Sequence, residues 1–86
     1  LSLAARAVDP ASGRAMEVWT TQPGMQLYTS NFLSDQPGKD GARYTKRAAY
    51  CLETQCFPDA MTHTHFPSPV LRANVPMSSR TEFRFR

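Results

Sequence analysis

Hydrophobic and polar residues alternate along several short stretches of the chain, a pattern typical of β-strands with one buried face. Met16 and Val18, for example, are expected on the opposite side of their strand from Trp19. The stretches with this period of two are residues 14–21, 25–29, 49–57 and 81–86. We predict a strand at each of them.

Turn-forming residues separate the predicted strands. The segment from Asp9 to Gly13 combines a proline suited to a tight turn with a glycine that ends it. Further turn signals are Pro23-Gly24, residues 34–41, Pro58-Asp59, residues 66–69 and residues 74–79. The alanines of residues 1–8 also suit a helix, but their place before a turn and a strand favours a hairpin. Short strands with frequent turns predict an all-β fold of the sandwich or barrel type.

The predicted strands are few for a sandwich. The chain has 86 residues, so it forms one domain at most, and a chain of this size buries only roughly 60–65% of its unfolded surface when it folds alone. Strands without neighbours leave edges unpaired and one sheet face uncovered. We therefore expect that the rest of the sandwich lies outside residues 1–86.

Composition and charge narrow the function classes. Hydrophobic residues make up 41% and charged residues 20%, an ordinary globular balance, and no apolar run approaches the roughly 20 residues of a membrane helix. The net charge of +3 is spread along the chain, whereas a nucleic-acid binder concentrates it on one element. Phenylalanine and arginine alternate in residues 83–86, which favours an amphipathic strand over stacking on bases. We expect neither a nucleic-acid nor a membrane partner.

The cysteines and histidines do not form an obvious covalent or metal site. Cys51 and Cys56 lie roughly 16 Å apart on an extended strand, while a disulfide needs Cα atoms within about 7 Å. Unless the strand breaks between them, they are expected to be free, buried thiols, which favours a reducing compartment such as the cytoplasm. His63 and His65 have no third ligand at a suitable spacing, so we predict solvated loop residues and no metal site.

Two polar side chains stand out inside the predicted strands. Gln26 lies between Met25 and Leu27, and Glu53 lies between Leu52 and Thr54. Glutamate is depleted in strands and is rarely buried without a partner. From the pattern alone, a strand side that simply faces water is favoured over a polar cleft.

Longer motifs change that balance. Residues 20–32 read TTQPGMQLYTSNF and resemble the TTQPG-x-Q-x-Y-x-x-N segment of the aldose 1-epimerase family. The CLETQ of residues 51–55, the FPDA of residues 57–60 and the FPS of residues 66–68 resemble the LETQ, PDA and FP block of the same family. Residues 9–19 resemble its Ser-Gly-Arg hairpin. The similarity covers nearly the whole chain in the same order, with departures at Met61-Thr62 and at residues 73–78.

The resemblance implies a large antiparallel β-supersandwich, of which residues 1–86 are the C-terminal part of a single domain. Family members interconvert the α and β anomers of aldohexoses such as glucose and galactose, without a cofactor. The glutamate that matches Glu53 is the general base, and the glutamine that matches Gln26 contacts the sugar. The family's catalytic histidine and its sugar-binding arginine and aspartate lie upstream of the matching segment, so His63 and His65 do not match them.

The sequence therefore predicts an isomerase whose general acid lies outside these residues, and the isolated chain is expected to be inactive. A non-catalytic carbohydrate-binding module of the same fold is the alternative. Histidines upstream that face Glu53 would separate the two. A basic nucleic-acid module is the most remote possibility, and its affinity would fall steeply with salt.

Overall fold

The structure is a computed structural model that describes every residue from Leu1 to Arg86. It contains β-strands, turns and a single 3₁₀ turn at Lys39–Gly41, with no α-helix. The strands are β1 (Ser2–Val8), β2 (Ala15–Thr20), β3 (Gly24–Tyr28), β4 (Gln36–Pro37), β5 (Arg43–Tyr44), β6 (Cys51–Gln55) and β7 (Thr81–Phe85). The all-β prediction is confirmed, and each predicted strand is present. The short β4–β5 pair was missed, because β4 lies in a segment predicted only as turn and no element was predicted at β5.

Strands β1, β2 and β7 form an antiparallel sheet in the order β1-β2-β7. The predicted hairpin between β1 and β2 is confirmed, and Asp9 closes its turn. The Asp9 carboxylate accepts hydrogen bonds from the Ser12 hydroxyl at 2.6 Å and from the Ala11 N–H at 3.1 Å. These bonds, that of Ser12 foremost, lower the pKa of Asp9. Gly13 leaves the turn at a φ of +74°, where a side chain would be strained.

One face of this sheet carries the small core of the molecule. Val18 is fully buried, and Thr20, which shares its face of β2, is also buried. On the neighbouring strand β7, Phe83 and Phe85 share this face by register with Val18 and Met16. They are nevertheless 50% and 75% exposed. The core is therefore covered over β2 and left open over β7.

The opposite face of the same sheet is charged. The Trp19 indole N–H donates to Glu17 at 3.0 Å, so both side chains lie on the side predicted for them. The Arg84 guanidinium lies over the Trp19 ring, 4.5 Å from its centroid, and bonds to Glu82 at 2.7 Å. This hydrogen bond is the main cause of the lowered pKa of Glu82, which also pairs with Arg80.

Strands β3 and β6 form a second antiparallel sheet, and β4 and β5 form a third, small one. Ser30, which is buried, donates its hydroxyl to the Ala49 carbonyl at 2.7 Å just beyond the end of the β3–β6 ladder. Arg43 anchors the small sheet through bonds to Asp35. No element here is a helix with the length and apolar character that crossing a bilayer requires.

The three sheets leave much of the chain uncovered. Buried residues number 5 of 86. The radius of gyration is 16.7 Å, whereas a compact chain of this length has about 12 Å. The accessible surface is 6958 Å², compared with about 5,100 Å² for a compact monomer of this mass. The outer edges of β1 and β7 pair with no further strand. The expectation of unpaired edges and an uncovered sheet face is confirmed.

This open surface predicts weak cooperativity for the isolated chain. We expect a broad thermal transition in calorimetry together with strong binding of a hydrophobic dye, because side chains such as Phe85 stay in water. A single sharp transition whose calorimetric and van't Hoff enthalpies agree would contradict this expectation.

Candidate functional site

Gln26 and Glu53 lie directly opposite each other in the β3–β6 sheet. The register pairs Gln26 with Glu53, flanked by the pairs Met25 with Thr54 and Leu27 with Leu52. Directly paired residues point to the same side of a sheet, with Cβ atoms about 4.5–5.5 Å apart. The structure thus brings the two sequence-predicted site residues together as immediate neighbours.

The two faces of this sheet differ sharply in chemistry. We call the side that carries the Gln26–Glu53 pair the polar face. Its residues are Gly24, Gln26, Tyr28, Cys51, Glu53 and Gln55. The opposite side carries Met25, Leu27, Leu52 and Thr54. Alternation along both strands therefore collects amide, carboxylate, phenol and thiol groups on one surface.

The Gln26–Glu53 pair is open to solvent in these 86 residues. Glu53 is exposed and takes part in none of the ion pairs of the chain. The Gln26 amide makes only a long bond, 3.4 Å, to the carbonyl of Leu27. Neither residue lines a cavity; the cavities, of 230 to 510 Å³, lie elsewhere. The polar face is thus a flat wall whose carboxylate and amide keep their hydrogen-bonding capacity free.

An aromatic cluster borders the polar face at its Gly24 end. A Cβ atom built on Gly24 would meet the Phe57 ring at 2.9 Å, so the ring covers the glycine on the same side as Gln26. Phe57 packs on Phe66, with centroids 5.0 Å apart. The imidazole of His65 also packs on Phe66, with ring centroids 4.3 Å apart. The absence of a side chain at Gly24 therefore makes room for an aromatic edge of the polar face.

The structure refines the expectations for the histidines. Both are exposed, but they are not simply solvated, because each ring packs against Phe66. His63 also approaches the Asp59 carboxylate at 3.3 Å. The sequence signal for this cluster is the group of aromatic and histidine residues between residues 57 and 66. The search for strand alternation does not detect it, because these residues lie in a loop. No group of three or more side chains is arranged to hold a metal ion.

The cysteines are free, as predicted. The prediction that both are buried was wrong. Cys51 is exposed because it lies on the uncovered polar face opposite Tyr28, and Cys56 is half-buried with its thiol 3.9 Å from the Gln22 side-chain oxygen.

Comparison with known proteins identifies the family. The sequence profile named Aldose 1-epimerase matches residues 1–84. The chain belongs to the aldose 1-epimerase family. It is 49% identical to the galactose mutarotase of Homo sapiens and 48% identical to that of Bos taurus, in each case over 82 residues, or 94% of this chain. The aldose 1-epimerase of Haemophilus influenzae is 33% identical over 80 residues, or 91% of the chain. The matched part is 24% of each of these relatives.

The contact between Gly24 and Phe57 can be tested in a full-length protein of this family that contains residues 1–86. We expect Gly24→Ala to lower the free energy of unfolding by about 1–3 kcal/mol, because the added methyl overlaps the ring. Urea denaturation measures the change. In a Phe57→Ala background the same substitution should cost much less. Additive costs in the double variant would contradict a direct contact.

Proposed function

We propose that this chain forms the C-terminal quarter of an aldose 1-epimerase that interconverts the α and β anomers of aldohexoses such as glucose and galactose. The observation that carries the proposal is the direct pairing of Gln26 with Glu53 on one open face of β3–β6. Family membership supplies the reaction class. In the complete enzyme this segment contributes strands to a β-supersandwich and one wall to the sugar cleft.

Glu53 acts as the general base in this proposal. No cation of the chain pairs with its carboxylate, which is exposed and free to accept a proton from a bound sugar. It takes the proton of the anomeric hydroxyl as the bond between the anomeric carbon and the ring oxygen breaks. A general acid protonates the ring oxygen, and the open-chain aldehyde turns about its first carbon–carbon bond. Reclosure on the other face returns both protons, so that no net atom or electron is gained or lost.

Gln26 has a different role, since its amide is uncharged. It offers one acceptor and two donor sites, and its position opposite Glu53 lets it bond a neighbouring hydroxyl of the same sugar. Such contacts orient the reacting hydroxyl toward the base, and orientation lowers the barrier by removing rotational freedom in advance.

The general acid comes from another part of the enzyme. His63 and His65 pack around Phe66 in a loop, and His63 approaches Asp59. Both rings are thus engaged with Phe66, and His63 also with Asp59, which supports their exclusion from the acid role. The isolated chain therefore lacks both the acid and the facing wall of the cleft, and we expect no mutarotation above the spontaneous rate.

Substitution of the base tests the proposal. In the complete enzyme, Glu53→Gln keeps the size of the side chain but removes the proton acceptor, so we expect kcat to fall by about 10²–10⁴-fold. KM should change little, because the amide still bonds the sugar. Polarimetry of freshly dissolved α-glucose or α-galactose follows the reaction.

Glu82→Gln is the matched control, because Glu82 is a strand glutamate on the charged face of the other sheet. It should retain nearly full activity. Near-normal turnover by Glu53→Gln would overturn the base assignment. Sugar binding without turnover by the unmodified complete protein would instead indicate a carbohydrate-binding module of the same fold.

A further inference from the structure

Three threonine side chains join the two larger sheets through a continuous line of hydroxyl groups. Thr81 of β7 lies at its centre, 3.0 Å from the hydroxyl of Thr20 on β2 and 2.8 Å from the hydroxyl of Thr54 on β6. Thr20 is buried, and the other two are half-buried. We call this line the threonine chain.

The threonine chain has one complete assignment of donors and acceptors. Each hydroxyl donates one proton and accepts up to two. Thr54 donates to Thr81, Thr81 donates to Thr20, and Thr20 donates to the Arg80 carbonyl at 3.3 Å. Thr20 also accepts from the Gln22 N–H at 3.0 Å, which fills its second acceptor position. Every hydroxyl proton is used, and the line ends on a backbone carbonyl that cannot turn away.

Within this line, the Thr54–Thr81 bond is the only side-chain hydrogen bond between a strand of the β1-β2-β7 sheet and a strand of the β3–β6 sheet. The Thr54–Thr81 bond connects β6 to β7, while backbone ladders operate only within each sheet. This bond is 2.8 Å long, and both of its residues are half-buried. The Thr81 hydroxyl is therefore the group through which β6 is hydrogen-bonded to the three-stranded sheet.

Thr54 follows Glu53 directly, and the two side chains point to opposite faces of β6. An anchor on Thr54 holds the strand from behind the polar face and leaves the Glu53 carboxylate free in front. The Gln26–Glu53 pair moves with β6, because Gln26 stays in the same ladder.

We infer that the threonine chain positions the general base, with Thr81 as a positioning residue that acts through Thr54. The inference rests on the proposed function of Glu53. Proton transfer needs donor and acceptor atoms about 2.6–3.2 Å apart, and a shift of about 1 Å costs about 100-fold in rate. Overall sugar binding is less sensitive, because it is shared among contacts from the whole cleft.

The test is Thr81→Val in the complete enzyme, a substitution that keeps the branched shape and removes the hydroxyl. We expect kcat at 25 °C, per folded molecule, to fall about 10–100-fold, while KM changes less than about threefold. Thr81→Ser should restore most of kcat, because it returns the hydroxyl without the methyl group. Thr54→Val breaks the same bond from the other side and should match Thr81→Val, which also covers the case of a variant that folds poorly.

Thr45→Val is the control, since Thr45 is exposed in a loop and outside the threonine chain. Its kinetics should equal those of the unmodified enzyme. A Thr81→Val enzyme with lowered thermal stability but unchanged kcat would overturn the inference, as would a Thr81→Ser enzyme as slow as Thr81→Val.

The failure of this inference differs from a failure of the proposed function. If Glu53→Gln is inactive but Thr81→Val is normal, only the positioning role is wrong. If Glu53→Gln retains turnover, the base assignment itself is wrong. In the Glu53→Gln background, Thr81→Val should have no further effect on kcat, because there is then no base left to position.

Discussion

The register between β3 and β6 is the constraint on which the site depends. Side chains alternate along a strand with a period of two, so a slip by one residue would exchange the two faces. Leu52 would then stand where Glu53 stands, and the Gln26–Glu53 pair would be lost. The ladder is held near both ends. Phe57 covers Gly24 at one end, and the buried Ser30 hydroxyl bonds the Ala49 carbonyl beyond the other.

The two faces of β6 carry different kinds of residue: one anchors the strand, and the other presents the polar groups of the candidate site. Behind the polar face, Thr54 bonds to Thr81 of the neighbouring sheet. In front, Glu53 is free of ion pairs and open to a ligand. A strand provides this separation without further elements, because adjacent residues point in opposite directions. The bond that anchors β6 is made by Thr54, so the hydrogen-bonding sites of the Glu53 carboxylate remain available.

The sequence predicted the long strands because their alternation is a local signal. It predicted the faces of Val18 and Trp19 for the same reason, and the Asp9 turn from its Pro and Gly. Glu53 was different. Alternation alone favoured a water-facing glutamate, and only the longer motifs connected it with Gln26 as parts of one site.

The remaining features have no local signature. Thr20, Thr54 and Thr81 are far apart in the sequence, and nothing around each one indicates that their hydroxyls meet. Gly24 follows a proline and was interpreted as a turn, whereas its role is also to admit the Phe57 ring. The expected burial of Cys51 failed because average burial preferences assume a covered sheet. In these 86 residues the polar face has no cover.

The most direct measurement is a crystal structure of the complete enzyme with galactose bound. The account predicts a Glu53 carboxylate oxygen about 2.6–3.2 Å from the anomeric oxygen, with the Gln26 amide bonded to the same sugar. A sugar bound elsewhere, with Glu53 still projecting into solvent, would contradict it.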